Sequence, residues 1–549
     1  MARQRKITKI MVANRGEIAI RVLRAANELG LRTVAVFAEE DKLALHRFKA
    51  DETYALEPGL GAIKAYLSIE EMIRVARAAH VDAIHPGYGF LSENPDFADA
   101  CAEAGIIFIG PTPDIMRRLG NKVSARAVAM KAGTPVMPAT GPLPEDLDEV
   151  RRLAAEIGYP LMLKASWGGG GRGMRVIEGE AQIDVEVEAG RREAVAAFGN
   201  GEIFLEKLVR RARHVEVQLL GDHHGNVVHL FERDCSVQRR NQKVVERAPA
   251  PFLSEGQRAE LCQAALRLAR ESGYVNAGTA EFLMDDDSGE FYFIEVNPRI
   301  QVEHTVTEEV TGIDIVKAQI RIAGGARIGD VAASGVPDQA DIHLRGHALQ
   351  CRVTTEDPEE NFIPDYGRIT AYRGANGFGI RLDGGTAYSG AVITRHYDSL
   401  LEKVTAWAPT PEEAIARMDR ALREFRIRGV TTNLTFVEGV INHPTFKAGE
   451  CTTRFIDDTP ELFKLSHRRD RATRLLRYIA DVTINGNEEV AGRPTPTTSR
   501  KPLVPAHLAE APPDGSKQLL EQMGPEKFSA WMLEQQRLLL TDTTMRDAH

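Results

Sequence analysis

Apolar positions in the first hundred residues follow two rhythms. KIMVAN (9 to 14) is a short apolar run, the pattern of a strand covered on both faces. RGEIAIRVLRAANELG (15 to 30) spaces its apolar residues three and four apart, which predicts a helix ended at Gly30. RTVAVFA follows as a second strand, and strand, helix, strand recurs through VDAIHP and GIIFIGP. A doubly wound parallel sheet is therefore expected over residues 1–120. No GxGxxG follows the first strand, which argues against a dinucleotide site there.

After about residue 120 the pattern changes to paired β segments: YPLMLKAS with MRVIEG, EVQLLGDHHGNVVHLFERD, and TAEFLMDDDSGEFYFIEVN. This predicts a central domain over 121–330. A mixed α+β domain is expected over 331–456, opening with HALQCRVTTEDP. A helical and proline-rich linker region is expected over 457–530, and a short helix leading into a strand that has just begun over 531–549. The fold class is α/β with an appended extension.

Three stretches carry candidate chemistry. In FIEVNPRIQVEH, an extended run from Glu295 to Glu303 would put Glu295, Asn297, Arg299, Gln301 and Glu303 on one face, with Val296, Pro298, Ile300 and Val302 on the other. The bland alternative is a half-solvated edge strand. A hairpin turning near residue 288 would set Glu281 beside Glu295, a like-charge pair that is unfavourable without a cation between its members. With Asn297 these carboxylates offer hard oxygen ligands suited to Mg²⁺. LKASWGGGGRGMRVI places Gly168, Gly169, Gly170 and Gly171 between two strand-like runs, with Lys164 and Arg172 alongside. That is a glycine hairpin able to close over phosphate oxygens, not a Walker loop, which needs GK[ST] before a helix.

Composition narrows the partners. With 69 basic and 78 acidic residues and a net charge of -9, the chain has no dedicated nucleic-acid surface. Cys101, Cys235, Cys262, Cys351 and Cys451 show no CxxC spacing, so a disulfide framework and a zinc site are not expected and a reducing cytoplasm is. Neither a signal peptide nor an apolar run of membrane-spanning length is expected.

HPGYGFLSENP (85 to 95), KASWGGGGRGM (164 to 174), ERDCSVQRRNQKVVERAPAP (232 to 251), EFYFIEVNPRIQVEHTVTE (290 to 308) and GHALQCRVTTEDP (346 to 358) together resemble biotin carboxylase, an ATP-grasp family, from about residue 6 to 455. Beyond it, DRATRLLRYIADV, the proline-rich arm and LLLTDTTMRDAH are similar to pyruvate carboxylases, in which a carboxyltransferase domain follows. The resemblance implies that Lys122 and Lys164 meet ATP phosphates under the glycine flap, with Met174 beside it. It places Glu206, Leu208, His214, Gln238 and Asn241 around the adenine and ribose, Asn241 standing where many relatives have His. It gives Mg²⁺ or Mn²⁺ to Glu281, Glu295 and Asn297, and makes Asp547 a lone metal ligand of the carboxyltransferase site. Lys243, Arg299, Gln301 and the Val302 backbone would cradle bicarbonate, Glu303 would be its base, and Arg352 would stabilise the enolate of biotin.

Biotin is expected to be carried elsewhere, because the nearest carrier-like segment, Ala129, Met130, Lys131 and Ala132, falls in a predicted helix. The implied partners are bicarbonate, biotin or its carrier domain, and an acetyl-CoA activator near Arg468, Arg469 and Arg471. A homo-tetramer is implied, with no nucleic acid and no membrane. Two other readings stay open at this level: the biotin carboxylase subunit of an acyl-CoA carboxylase, and a nucleotide-binding regulatory module without turnover.

Overall fold

A computed structural model describes residues 6–166, 174–198, 200–465, 471–487, 492 and 514–541. The chain divides into two compact units, Met1–His467 and Arg468–His549. The first begins with a parallel sheet of β1 (Lys9–Val12), β2 (Arg32–Phe37), β3 (Glu52–Ala55), β4 (Ala83–His85) and β5 (Ile107–Phe108), in the order β3-β2-β1-β4-β5. Alternation in β1 explains why both faces are covered. Ile10 and Val12 pack with Ile18 and Val22 of the helix Gly16–Glu28, while Met11 and Ala13 face Tyr66, Met72 and Phe97. Strand β3 has no apolar run, since it is a short edge strand whose residues are alternately half-buried and exposed.

A small antiparallel sheet follows, built from β6 (Leu161–Ala165), β7 (Arg175–Ile177) and β8 (Ile203–Lys207) in the order β7-β6-β8. Leu161, Leu163, Ile177, Ile203 and Leu205 pack with Val150 and Val187 of the flanking helices.

The largest sheet holds β9 (Ala212–Gly221), β10 (Val227–Arg239), β11 (Gln242–Ala248), β12 (Asn276–Asp285) and β13 (Phe291–Asn297). The chain then adds β14 (His347–Thr354), β15 (Glu356–Asp357), β16 (Ile363–Pro364), β17 (Gly367–Arg368), β18 (Ala371–Arg373), β19 (Ile380–Gly384), β20 (Val392–Ile393), β21 (Leu400–Ala408) and β22 (Arg426–Arg428). Three of these later strands complete an eight-stranded antiparallel sheet, β13-β12-β9-β10-β11-β14-β21-β19. It crosses residue 331 without a break: Val245 pairs with Cys351 and Arg247 with Leu349. One core, including Val237, Val245, Cys351, Val404 and Phe436, belongs to both sides of that point.

The hairpin expected near residue 288 is present, and Glu281 lies directly opposite Glu295 in its register. The extended run from Glu295 to Glu303 is not. Strand β13 ends at Asn297, where its ladder with β12 closes at Thr279, and the following Pro298 has no N–H to continue it. Residues 298–303 form a loop into the helix His304–Thr311.

In the second unit, helices run over Arg471–Asn485, Ser516–Met523 and Pro525–Glu534. The last two pack together, and within Pro525–Glu534 Phe528 stacks on Trp531 at 5.5 Å. The expected strand after them does not form through residue 541, consistent with the need of a strand for a neighbour to take its backbone hydrogen bonds. Gly168, Gly169, Gly170, Gly171, Arg172, Arg468, Arg469, Asp547 and most of the proline-rich arm lie outside the described residues. Among the described residues no helix is long and apolar enough to cross a membrane.

Candidate active site

A cleft of about 970 Å³ opens between the parallel sheet and the large sheet. The loop 298–303 forms one wall, and β9, β11, β12, β13 and β14 supply most of the charge. Lys243 sits at its centre. Its ammonium donates to Glu216 Oε2 at 2.5 Å, Glu281 Oε1 at 3.0 Å and Glu303 Oε1 at 2.6 Å. Burial alone would lower the Lys243 pKa, but three carboxylates outweigh it and hold the ammonium charged well above its usual range.

Glu303 bridges two cations, because Arg352 Nη2 donates to its Oε2 at 3.1 Å. Burial works against its charge, yet Lys243 and Arg352 keep the carboxyl below the ordinary range despite the nearby Glu216. Glu303 is therefore ionised at neutral pH. Arg352 is itself held by Glu246, Nε to Oε1 at 2.5 Å.

The acidic pair is asymmetric. Glu281 Oε1 accepts from Lys243, from Asn297 Nδ2 at 2.9 Å and from Gln301 Nε2 at 2.8 Å, and His214 Nε2 lies 3.2 Å from its Oε2. Burial raises this carboxyl, but Lys243 and His214 bring it well below the usual range. Its neighbour Glu295 accepts no hydrogen bond among the described residues. Burial and the charge of Glu281 push Glu295 up. A half-buried carboxylate beside an ionised one, with an amide oxygen nearby at Asn297, is a donor set that suits a hard divalent cation.

The expected residues divide into two groups. His214, Lys243, Glu281, Glu295, Asn297, Arg299, Gln301, Val302, Glu303 and Arg352 converge on the cleft, and Gln238 stands behind it, its Nε2 2.9 Å from His214 Nδ1. Arg299 Nη2 donates to Asn297 Oδ1 at 3.1 Å and its Nε lies 3.1 Å from Glu93. Asn241 lines the mouth. It and Arg240 form the two-residue turn between β10 and β11, with φ of 64° and 49°. Asn and His are both enriched in this left-handed conformation, which accounts for either residue at the position. Lys122, Lys164, Met174, Glu206 and Leu208 do not line the cleft. Lys164 is ion-paired with Glu206 across β6 and β8, Leu208 follows that sheet, and Lys122 opens the helix Lys122–Lys131.

Four supporting residues escaped the sequence reading. Arg233, fully buried, donates to Glu216 at 2.6 Å, Gln218 at 2.8 Å, Thr307 at 3.0 Å, Thr279 at 3.3 Å and Gln301 at 2.8 Å. Glu216, whose carboxyl is lowered to about 2 by Arg233 and Lys243 against its burial, neutralises both. Glu246 orients Arg352, and Lys403 donates to the Val302 carbonyl at 3.0 Å. The available signal for Arg233 was a run of three charged residues, Glu232, Arg233 and Asp234, inside an otherwise largely apolar strand.

Residues 6–116 match the "Biotin carboxylase, N-terminal domain" family, 121–331 match "Carbamoyl-phosphate synthase L chain, ATP binding domain", and 350–458 match the "Biotin carboxylase C-terminal domain". The biotin carboxylase domain of Hydrogenobacter thermophilus 2-oxoglutarate carboxylase, solved with MgADP, ADP and bicarbonate, is 45% identical over 84% of this chain and 99% of that one, with a TM-score of 0.77. The chain belongs to the biotin carboxylase family. As a biotin carboxylase it is an ATP-dependent ligase with the ATP-grasp fold. This biotin carboxylase is also 51% identical to Bacillus subtilis pyruvate carboxylase, and 50% identical to the human mitochondrial protein, over 100% and 99% of its own length. A Rhizobium etli pyruvate carboxylase solved with the allosteric activator acetyl coenzyme-A is 66% identical over 99% of this chain and 51% of that one, TM-score 0.80. The chain spans about half the length of the curated relatives it matches, 47% and 46% of the two named.

Proposed function

We propose that the cleft carries out the first half-reaction of a pyruvate carboxylase, the carboxylation of biotin by bicarbonate at the expense of ATP. The observation that carries this reading is Glu303, an ionised carboxylate clamped between Lys243 and Arg352. Glu303 takes the proton of bicarbonate, and the freed oxygen attacks the γ-phosphate of ATP to give ADP and carboxyphosphate. Carboxyphosphate separates into CO₂ and phosphate, and the phosphate removes the ureido N–H proton of biotin. Arg352, which lines the same cleft, stabilises the enolate charge before it attacks CO₂. Lys243, Arg299, Gln301 and the Val302 backbone hold the anion. His214, Gln238 and Asn241, with Lys122, Lys164, Met174, Glu206 and Leu208, serve the nucleotide under the glycine flap of 168–171.

Glu281, Glu295 and Asn297 would hold Mg²⁺ or Mn²⁺, which when bound neutralises and aligns phosphate oxygens. The Glu295 carboxyl, raised by burial and by Glu281 and accepting no hydrogen bond among the described residues, supports this assignment. Biotin arrives free or on a carrier, since Ala129 to Lys131 lie within a helix. All five cysteines are buried and free, which suits a reducing cytoplasm. The acetyl-CoA response of a relative is proposed for the whole protein, as is the transfer of carboxyl to pyruvate.

The test is phosphate release from ATP with bicarbonate, Mg²⁺ and free biotin, in the parent and in Glu295→Gln. Loss of one ligand should raise the Mg²⁺ concentration needed for half-maximal rate by about tenfold or more. An unchanged rate at limiting Mg²⁺ removes Glu295 from the metal site, and release independent of bicarbonate removes the reaction itself.

A further inference from the structure

Behind the loop 298–303, two side chains that are 0% exposed grip its backbone. Lys403 Nζ donates to the Val302 carbonyl at 3.0 Å, and His304 Nδ1 lies 2.8 Å from the Gln301 carbonyl. Against a carbonyl oxygen only a protonated Nδ1 makes a hydrogen bond, so the partner assigns the tautomer. Burial holds His304 well below its usual pKa, so the ring is neutral. A trans peptide points its N–H away from its C=O. Anchoring the two carbonyls in the interior therefore turns the Val302 and Glu303 N–H groups the opposite way. Both residues line the cleft, and neither amide has an acceptor among the described residues. Successive outward amides form a concave site for an anion.

We propose that Lys403 is a positioning residue for bicarbonate: its ammonium fixes the Val302–Glu303 peptide so that both amides and the Glu303 carboxylate meet the anion. This rests on the reading that the loop holds bicarbonate. The other partner of Lys403 extends the argument. Lys403 Nζ lies 3.0 Å from Glu17 Oε2, in the first turn of Gly16–Glu28, and Glu17 Oε1 accepts from the Tyr88 hydroxyl. Glu17 and Tyr88 both line the cleft. A buried ammonium on β21 thus ties the anion loop to the wall that the parallel sheet provides.

A competing role for Lys403 is to neutralise the buried Glu17 and nothing more. The double variant Glu17→Gln/Lys403→Met separates the two, because it leaves no unpaired charge but still lacks a donor to Val302. The single variants Lys403→Met and Glu17→Gln, the latter keeping the bond to Val302, complete the set. Each is assayed in the full chain for bicarbonate-dependent ATP cleavage with free biotin, after its thermal unfolding is recorded. In the double variant kcat/KM for bicarbonate should fall by about 10²-fold, the scale of a misplaced reactant, while KM for ATP stays within about twofold. Glu17→Gln should lose markedly less on bicarbonate than the double variant does. A folded double variant with parental bicarbonate kinetics, or one whose ATP and bicarbonate constants move together, overturns the proposal. So does failure of both Lys403 variants to fold, which would assign the residue to stability. Arg299→Ala is run alongside: if it too leaves bicarbonate kinetics unchanged, the site reading fails, whereas a loss there with none in the double variant rejects only the role of Lys403.

Discussion

Glu402 precedes Lys403 on β21 and points into a different environment. It is 4% exposed, and its Oε2 accepts from the Tyr372 hydroxyl at 2.5 Å. Burial pushes its carboxyl up to about 7. A carboxyl raised in the fold contributes stability that is present below its unfolded pKa and lost as pH rises through the folded value. Glu402→Gln should therefore gain on the parent between pH 4.5 and about 7, by on the order of 3 kcal/mol at most for a gap of two to three units. Denaturant midpoints of both proteins at pH 5 and pH 8 check this, and a constant difference would place Glu402 as ionised throughout. Residues of this kind were illegible in the sequence because their partners are remote. Lys403 meets Val302 across 101 positions, Arg352 meets Glu246 across 106, and Arg233 meets Gln301 across 68. Residues 281 to 303 were legible because one hairpin and the loop after it carry the acidic pair, Asn297, Arg299, Gln301 and Glu303 together.

The hairpin between β10 and β11 shows what turns contribute to the site. Its two turn residues have positive φ, so the hairpin takes a primed turn that matches strand twist, and it presents Lys243 as the second residue of β11. A β-branched side chain at 241 would pay about 1–2 kcal/mol for the left-handed backbone, whereas glycine accepts it. Asn241→Val should accordingly lower the denaturant midpoint and weaken bicarbonate-dependent turnover, with Asn241→Gly near the parent in stability. Equal losses in the two would mean that an Asn side-chain contact, not the backbone, governs the position. The β12–β13 hairpin could be read from its turn residues DDDSG and from alternation on either side. The end of β13 could not, because alternation of polar and apolar residues continues past Pro298, although the ladder stops there while β12 itself runs on to Asn276.

At the scale of the molecule, the chain covers about half of its curated relatives, and the half-reaction should be separable. Given free biotin, these 549 residues should release phosphate without forming oxaloacetate from pyruvate, because Asp547 alone cannot assemble a metal site and Ala129 to Lys131 are helical. Measuring both products in one reaction decides it, and oxaloacetate from the purified chain would refute the division of labour. The eight-stranded sheet carries a different consequence, for the order in which the protein is made. Strand β11 ends at Ala248 and its neighbour β14 begins at His347. At ribosomal speeds roughly 100 intervening residues take about 5–20 s to synthesise. Throughout that interval the β11 edge, with Val244 and Val245 in it, has no strand to pair with, which is the condition under which nascent chains join one another's sheets. Translation pauses between codons 249 and 346 would therefore be costly for this protein, and silent only after β14 has emerged.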